Sequence, residues 1–131
     1  GKTLSHVAVF KVPTIDRLLF LTDVAFLPYP DVEAKKQIIN YTVDVARACG
    51  VETPKVAPLA AVEVVNPKMQ NTGNITYKAI DHLVPGVQIG CILTGTTAPV
   101  ILTSRSDTKQ VKINSIALAA VLSDHMKKVN G

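Results

Sequence analysis

Residues 98–120 read APVILTSRSDTKQVKINSIALAA, and this stretch decides how the rest of the chain is read. Pro99 leads an apolar run, Val100-Ile101-Leu102, with the composition of a short buried strand. A hydroxyl-rich turn follows, Thr103-Ser104-Arg105-Ser106-Asp107-Thr108, holding one guanidinium. From Lys109 the spacing predicts a helix, with Val111, Asn114, Ala117 or Leu118, Val121 and Leu122 on one face. Asp107 with Gln110 three residues on fits an N-cap and its capping-box partner. A strand, a polar loop and a helix start form a joint where α/β proteins hold anions, because free N–H groups and the helix dipole favour negative charge. Arg105 adds a planar fork suited to phosphate or carboxylate. The plainer reading is a solvated loop, and an acid capping its own helix occupies donors that a ligand needs.

The 131 residues suffice for one domain with a real core. At 47% hydrophobic and 18% charged, the composition is that of a globular chain. The +4 charge comes without Trp and without a basic run alternating with aromatics, so nucleic acid is not expected as a partner and a small anion is. No stretch is apolar enough to span a bilayer and no signal peptide is seen, so no membrane partner and a cytoplasmic location are expected. The sequons at Asn40 and Asn74 carry no meaning without secretion. Gly1 opens the chain without Met, as in a fragment or a processed chain. Cys49 and Cys91 read as reduced filler, and His6 and His125 as structural or exposed. No metal site is expected, and no dinucleotide fingerprint, P-loop or Gly-x-Ser-x-Gly elbow is present.

Outward from the opening stretch, residues 5–12 and 17–22 read as strands around a Pro13-Thr14-Ile15-Asp16 turn. The second is apolar on both faces, as in the middle of a covered sheet, and ends in Thr22-Asp23. Asp23 at that end is either a ligand contact or a carboxylate capping loop N–H groups. Asp31 caps a helix running to Cys49, with Gly50 as its stop and Ile38, Thr42, Val45, Ala46 and Cys49 as its buried stripe. Lys35, Lys36 and Arg47 read as its solvated face. Residues 55–62 read as a third strand, at an edge or bulged because of Pro58. A helix starts near Gly73 with Asn74 as its cap and no acid nearby, a second place for an anion. Lys78 on its next turn is a surface lysine on periodicity alone. Residues 87–93 read as a fourth strand, with Gly95 after it.

Several of these segments, in this order, resemble the phosphate acetyl/butyryl transferase family. They are LSHVAVF at 4–10, LFLTD at 19–23, ARACGVE at 46–52, PKVA at 54–57, NPKM at 66–69, GNITYK at 73–78 and PVILTSR at 99–105. The Gly-Asn-x-x-Tyr-Lys and Ser-Arg blocks are the specific parts. Ser104-Arg105-Ser106-Asp107 and Asn114-Ser115-Ile116-Ala117 look closer to the butyryl or branched-chain branch.

The resemblance implies an enzyme that exchanges acyl groups between coenzyme A and inorganic phosphate, with coenzyme A as substrate and no tightly bound cofactor. Its implied partners are acyl-CoA and phosphate, and a homo-oligomer is expected. The fold class expected is α/β: a three-layer α/β/α arrangement with a mainly parallel or mixed open sheet, part of a two-domain fold with the site in the cleft. By resemblance Ser104 and Arg105 are the catalytic pair, with Arg105 gripping an oxyanion in a crevice, and Gly73, Asn74, Lys78 and Asp23 bind substrate. The alternative is a non-catalytic anion- or nucleotide-binding α/β module, or an inactive fragment.

Two departures stand out. Acetyl-specific relatives carry an Asp seven positions after the Ser of the Ser-Arg pair, the proposed base for the thiol. Here that position is Val111, so the base is unassigned. Family members are also roughly twice as long, as two domains require. The chain, residues 1–131, reads as one α/β domain or domain fragment, and residues 70–73 as a junction where a family segment is missing, with a break or an irregular join expected there.

Overall fold

A computed structural model describes residues 2–59 and 73–130 of the chain, apart from the Asn130 side chain. The first two strands, β1 (Ser5–Lys11) and β2 (Leu18–Leu21), are joined by only six residues, too few for a parallel crossover. They therefore pair antiparallel, with Ala8 opposite Leu21 and Lys11 opposite Leu18. Helix α1 (Val32–Ala48), helix α2 (Gly73–Leu83), strand β3 (Gln88–Thr94) and helix α3 (Lys109–Asn130) follow. β3 lies on the other side of β1, also antiparallel, with Ser5 opposite Thr94 and Lys11 opposite Gln88.

The α/β class stands; among the described residues the sheet has three strands in the order β2-β1-β3, all antiparallel where a mainly parallel or mixed sheet is expected. β1 is the central strand and is buried from Ser5 to Phe10. β2, expected in the middle, lies at an edge of this sheet and is half-buried throughout. Residues 55–59 form no strand, and the remainder of the expected third strand lies outside the described residues. So do residues 70–72, on which the expected irregular join falls.

Alternation along β1 sends side chains to two faces, and both are covered. Val7 and Val9 pack with Ile92, with Val45 of α1 and with Leu118 and Leu122 of α3. Ala8 and Phe10 pack with Ile89 and Cys91 on the other face, against Tyr77 and Ile80 of α2. The three-layer arrangement that the resemblance implies is thus present in the described residues, with α1 and α3 on one face of the sheet and α2 on the other. Burying each of the larger apolar side chains contributes on the order of 2 kcal/mol.

The termini of α1 form as the sequence predicts. The Asp31 carboxylate accepts the Ala34 N–H at 2.8 Å. Gly50 takes a φ of +86°, a conformation that costs glycine little. Ile38, Val45 and Ala46 are buried, with Thr42 and Cys49 half-buried beside them. Lys35, Lys36 and Arg47 are exposed.

α3 closes the outer edge of β3. Ser115, fully buried, accepts the Cys91 N–H on its Oγ at 2.9 Å, and Asn114 Nδ2 donates to the Ile89 carbonyl at 3.0 Å. Farther along, the Leu93 N–H donates to the Val100 carbonyl at 2.9 Å. An exposed row of unpaired strand groups invites aggregation, and here the Ile89 carbonyl and the Cys91 and Leu93 N–H groups are taken. Gly90 permits the approach: a Cβ there would stand 3.3 Å from the Asn114 main chain.

Candidate functional site

β1 begins, and β2 and β3 end, at the same end of the sheet, and Asp23 lies there. It is 3% exposed, and its carboxylate serves as a hub. Oδ1 accepts the N–H groups of Ala25, Phe26 and Leu27 at 2.8, 2.7 and 3.2 Å, and Oδ2 accepts that of His6 at 2.9 Å. A buried carboxylate requires such donors. The neighbouring residues continue the seam: Ser5 Oγ and Thr22 Oγ1 are 2.8 Å apart, and the Val24 N–H donates to the His6 carbonyl at 3.2 Å.

The Gly-Asn-x-x-Tyr-Lys segment joins this end from α2. Gly73 is buried at the helix start, while Asn74 and Lys78 are exposed. Asn74 was expected to cap the helix; it lies inside it instead, and its Nδ2 donates to the Val24 carbonyl at 3.0 Å. Tyr77 turns inward, with its hydroxyl 4.0 Å from the Cys91 sulfur and its ring tilted against Phe10 at 5.7 Å. Burial pushes the Cys91 thiol up to about 11 and the Tyr77 phenol higher, so both stay protonated at neutral pH.

The Ser-Arg loop arrives from the β3 side. Residues 100–102, expected as a buried strand, make one antiparallel bridge, Val100 to Leu93, and are exposed. Among the described residues the bridge to Leu93 is their one strand pairing, so apolar composition alone does not put them in the core. The turn that follows is tied within itself. The Ser104 N–H donates to Asp107 Oδ2 at 2.6 Å, the Asp107 N–H to the Ser104 carbonyl at 3.1 Å, and the Ser104 and Ser106 hydroxyls are 2.9 Å apart. Asp107 therefore does not cap α3. Thr108 does: its Oγ1 accepts the Val111 N–H at 3.3 Å and its carbonyl the Lys112 N–H at 3.2 Å. Gln110 bonds Asn114 instead of reaching back. Ser104 and Arg105 are exposed, and Arg105 forms no salt bridge with any described residue.

His6, which the sequence marks as structural or exposed and not as a site residue, links these parts. His6 Nε2 is 3.2 Å from the Leu102 carbonyl oxygen, while its main chain bonds Asp23 and Val24. The signal available was a polar residue on the otherwise apolar face that Ala8 and Phe10 share. Burial holds its imidazole below the ordinary value of 6.5, against the opposing pull of the Leu102 bond and the charges of Asp23 and Asp107.

The arrangement brings Asp23, the Asn74 segment and the Ser104–Arg105 loop to one end of the sheet. Among the described residues Arg105 is exposed. A cavity of about 320 Å³ lies between the α2–β3 turn and the first turn of α3, bounded by His82, Pro85, Gln88, Thr108 and Gln110, and none of the expected site residues lines it. Val111, where a base was sought, is half-buried against the Phe10 cluster.

The chain matches the family profile described as phosphate acetyl/butaryl transferase in two pieces, residues 1–73 and 67–120. It belongs to this family. It is 40% identical to a phosphate butyryltransferase of Clostridium acetobutylicum, over 93% of this chain and 60% of that protein. It is 38% identical to a phosphate butyryltransferase of Clostridium beijerinckii, over 97% of this chain and 61% of that one. Among solved structures, a branched-chain phosphotransacylase from Enterococcus faecalis V583 superposes with a TM-score of 0.78 at 26% identity, covering 94% of this chain and 64% of that one. The chain thus spans about three-fifths of the length of the curated relatives it matches.

Proposed function

We propose that the protein exchanges an acyl group between coenzyme A and inorganic phosphate, with butyryl or branched-chain acyl groups preferred. The observation that carries this reading is the meeting, at one end of the sheet, of the family's two most specific blocks: Asn74 reaches it through Val24, and the Ser104–Arg105 loop through His6. The names of the relatives support the butyryl and branched-chain preference.

In this reading a phosphate oxygen attacks the thioester carbonyl, the new C–O bond forms as the C–S bond breaks, and the departing sulfur leaves as coenzyme A. The negative charge that gathers on the carbonyl oxygen and phosphate needs donors already in place. Arg105 supplies a two-pronged cationic donor and Ser104 a hydroxyl beside it. Gly73, Asn74 and Lys78 line the approach from α2. Asp23, with its oxygens committed to backbone donors, shapes the loop that faces them. Coenzyme A is a substrate here, the enzyme works in the cytoplasm, and a homo-oligomer is its expected form.

The reading includes a missing segment at residues 70–73. The span aligned with the C. acetobutylicum protein, 179 residues, exceeds the whole 131-residue chain. The two matched pieces of the family profile overlap at residues 67–73. Both observations support a stretch in the relatives with no counterpart here.

A second reading, an inactive or purely anion-binding member, is favoured by the exposure of Arg105 and by Val111 at the expected base position. The test is phosphate-dependent release of free thiol from butyryl-CoA by the protein at full length. Release that rises with phosphate supports acyl transfer; release no faster than without protein overturns it.

A further inference from the structure

The segment from Ile101 to Asp107 is anchored with unusual economy. Ile101 and Leu102 are 39% and 46% exposed, so burial contributes little to its position. The turn from Ser104 to Asp107 bonds mainly to itself, and the Val100 bridge fixes only the segment's start. Among the described residues, the one side-chain bond between this segment and the sheet is His6 Nε2 to the Leu102 carbonyl, at 3.2 Å. His6 is itself held rigidly. It lies on the central strand, its N–H is taken by Asp23 and its carbonyl by Val24, and the Phe26 ring lies tilted beside its own with centroids 6.3 Å apart.

A carbonyl oxygen can only accept, so the bond puts the imidazole proton on Nε2. Nδ1 is then a bare acceptor, and it is buried with no partner among the described residues. A buried acceptor without a donor is costly, and a hydrophobic residue of this size would avoid that cost. What His6 provides that such a residue cannot is the donor to Leu102.

The geometry points to His6 as a positioning residue for the Ser104–Arg105 loop: its Nε2–H, fixed by the sheet and by Asp23, sets where the loop stands at the sheet end. The inference rests on the acyl-transfer reading for its kinetic consequence, but not for its structural one. Arg105 can meet a phosphate only from a fixed place, and a misplacement of about 1 Å is enough to lower rates steeply.

The test compares the unsubstituted protein with His6→Phe, which keeps the ring and loses the donor, and His6→Gln, whose amide nitrogen can replace Nε2–H. Amide exchange at Ser104 and Ser106 reads the loop directly, with Val7 and Ile92 as the core reference. In His6→Phe the loop amides should exchange about tenfold faster or more while the reference amides hold. The KM for phosphate should rise about tenfold, the equivalent of one hydrogen bond, with the KM for butyryl-CoA little changed. His6→Gln should restore both. Nitrogen NMR of the imidazole should place the proton on Nε2.

Loop exchange and phosphate KM in His6→Phe equal to those of the unsubstituted protein overturn the inference. So does His6→Gln behaving like His6→Phe, or a proton found on Nδ1. If His6→Phe does not fold, the His6→Gln exchange pattern and the tautomer decide. Absence of thiol release by the unsubstituted protein overturns the acyl-transfer reading alone, and loop exchange still decides the role of His6.

Discussion

Asp23 Oδ2 accepts the main-chain N–H of His6 at 2.9 Å, so the carboxylate that ends one strand fixes the start of the strand beside it. Its other oxygen gathers three successive N–H groups of the loop that follows. One buried side chain thereby stitches the sheet end to the loop that follows β2.

Replacing Asp23 by Ala strands four donors, some of them within reach of water. A loss of about 2–4 kcal/mol is expected, read as a lower urea midpoint. Asp23→Asn keeps one acceptor oxygen and should lose about half as much. Wild-type stability in Asp23→Ala would remove the hub.

Ser115 is fully buried and works in both directions: it accepts from Cys91 N at 2.9 Å and donates to the Val111 carbonyl at 2.8 Å. Ser115→Ala leaves an edge-strand N–H buried without a partner. The expected cost is about 1–3 kcal/mol, with faster amide exchange at Cys91 than at Val7 as its local sign. An unchanged Cys91 amide would contradict the closed-edge account.

The imidazole of His6 is held below its unfolded value of about 6.5. Above pH 6.5 both states are neutral and nothing is lost. As pH falls through 6.5 the unfolded chain takes a proton that the folded chain refuses, so stability drops until the folded value is passed and then levels. Urea midpoints at about pH 7.5 and pH 5.5 should differ more for the unsubstituted protein than for His6→Gln. Equal differences would contradict the buried neutral histidine.

The parts legible in the sequence were those decided within a turn or two. Asp31 and Gly50 mark the ends of α1 because capping is local. The three layers were implied by the family resemblance, and the structure gives their reason: β1 alternates between two covered faces. Strand direction was less legible, although the six residues between β1 and β2 already exclude a parallel crossover. The Ser-Arg loop misled most. Val100-Ile101-Leu102 has a strand's composition, but exposure depends on what lies opposite, which no local pattern states. Asp107 and Thr108 are both good caps, and the choice between them turned on a bond back to Ser104. His6 was hidden because its partner, Leu102, lies 96 residues away.

The role of Arg105 is open to the most direct measurement: thiol release from butyryl-CoA against phosphate concentration, for the unsubstituted protein at full length and for Arg105→Ala and Arg105→Lys. Arg105 is exposed and without a salt bridge among the described residues, so both variants should melt as the parent does. Arg105→Ala should lose about 2–3 kcal/mol in kcat/KM for phosphate, a charged hydrogen bond's worth, and Arg105→Lys should also be impaired because a point charge does not replace a fork. Kinetics in Arg105→Ala indistinguishable from the parent would contradict the site proposed here.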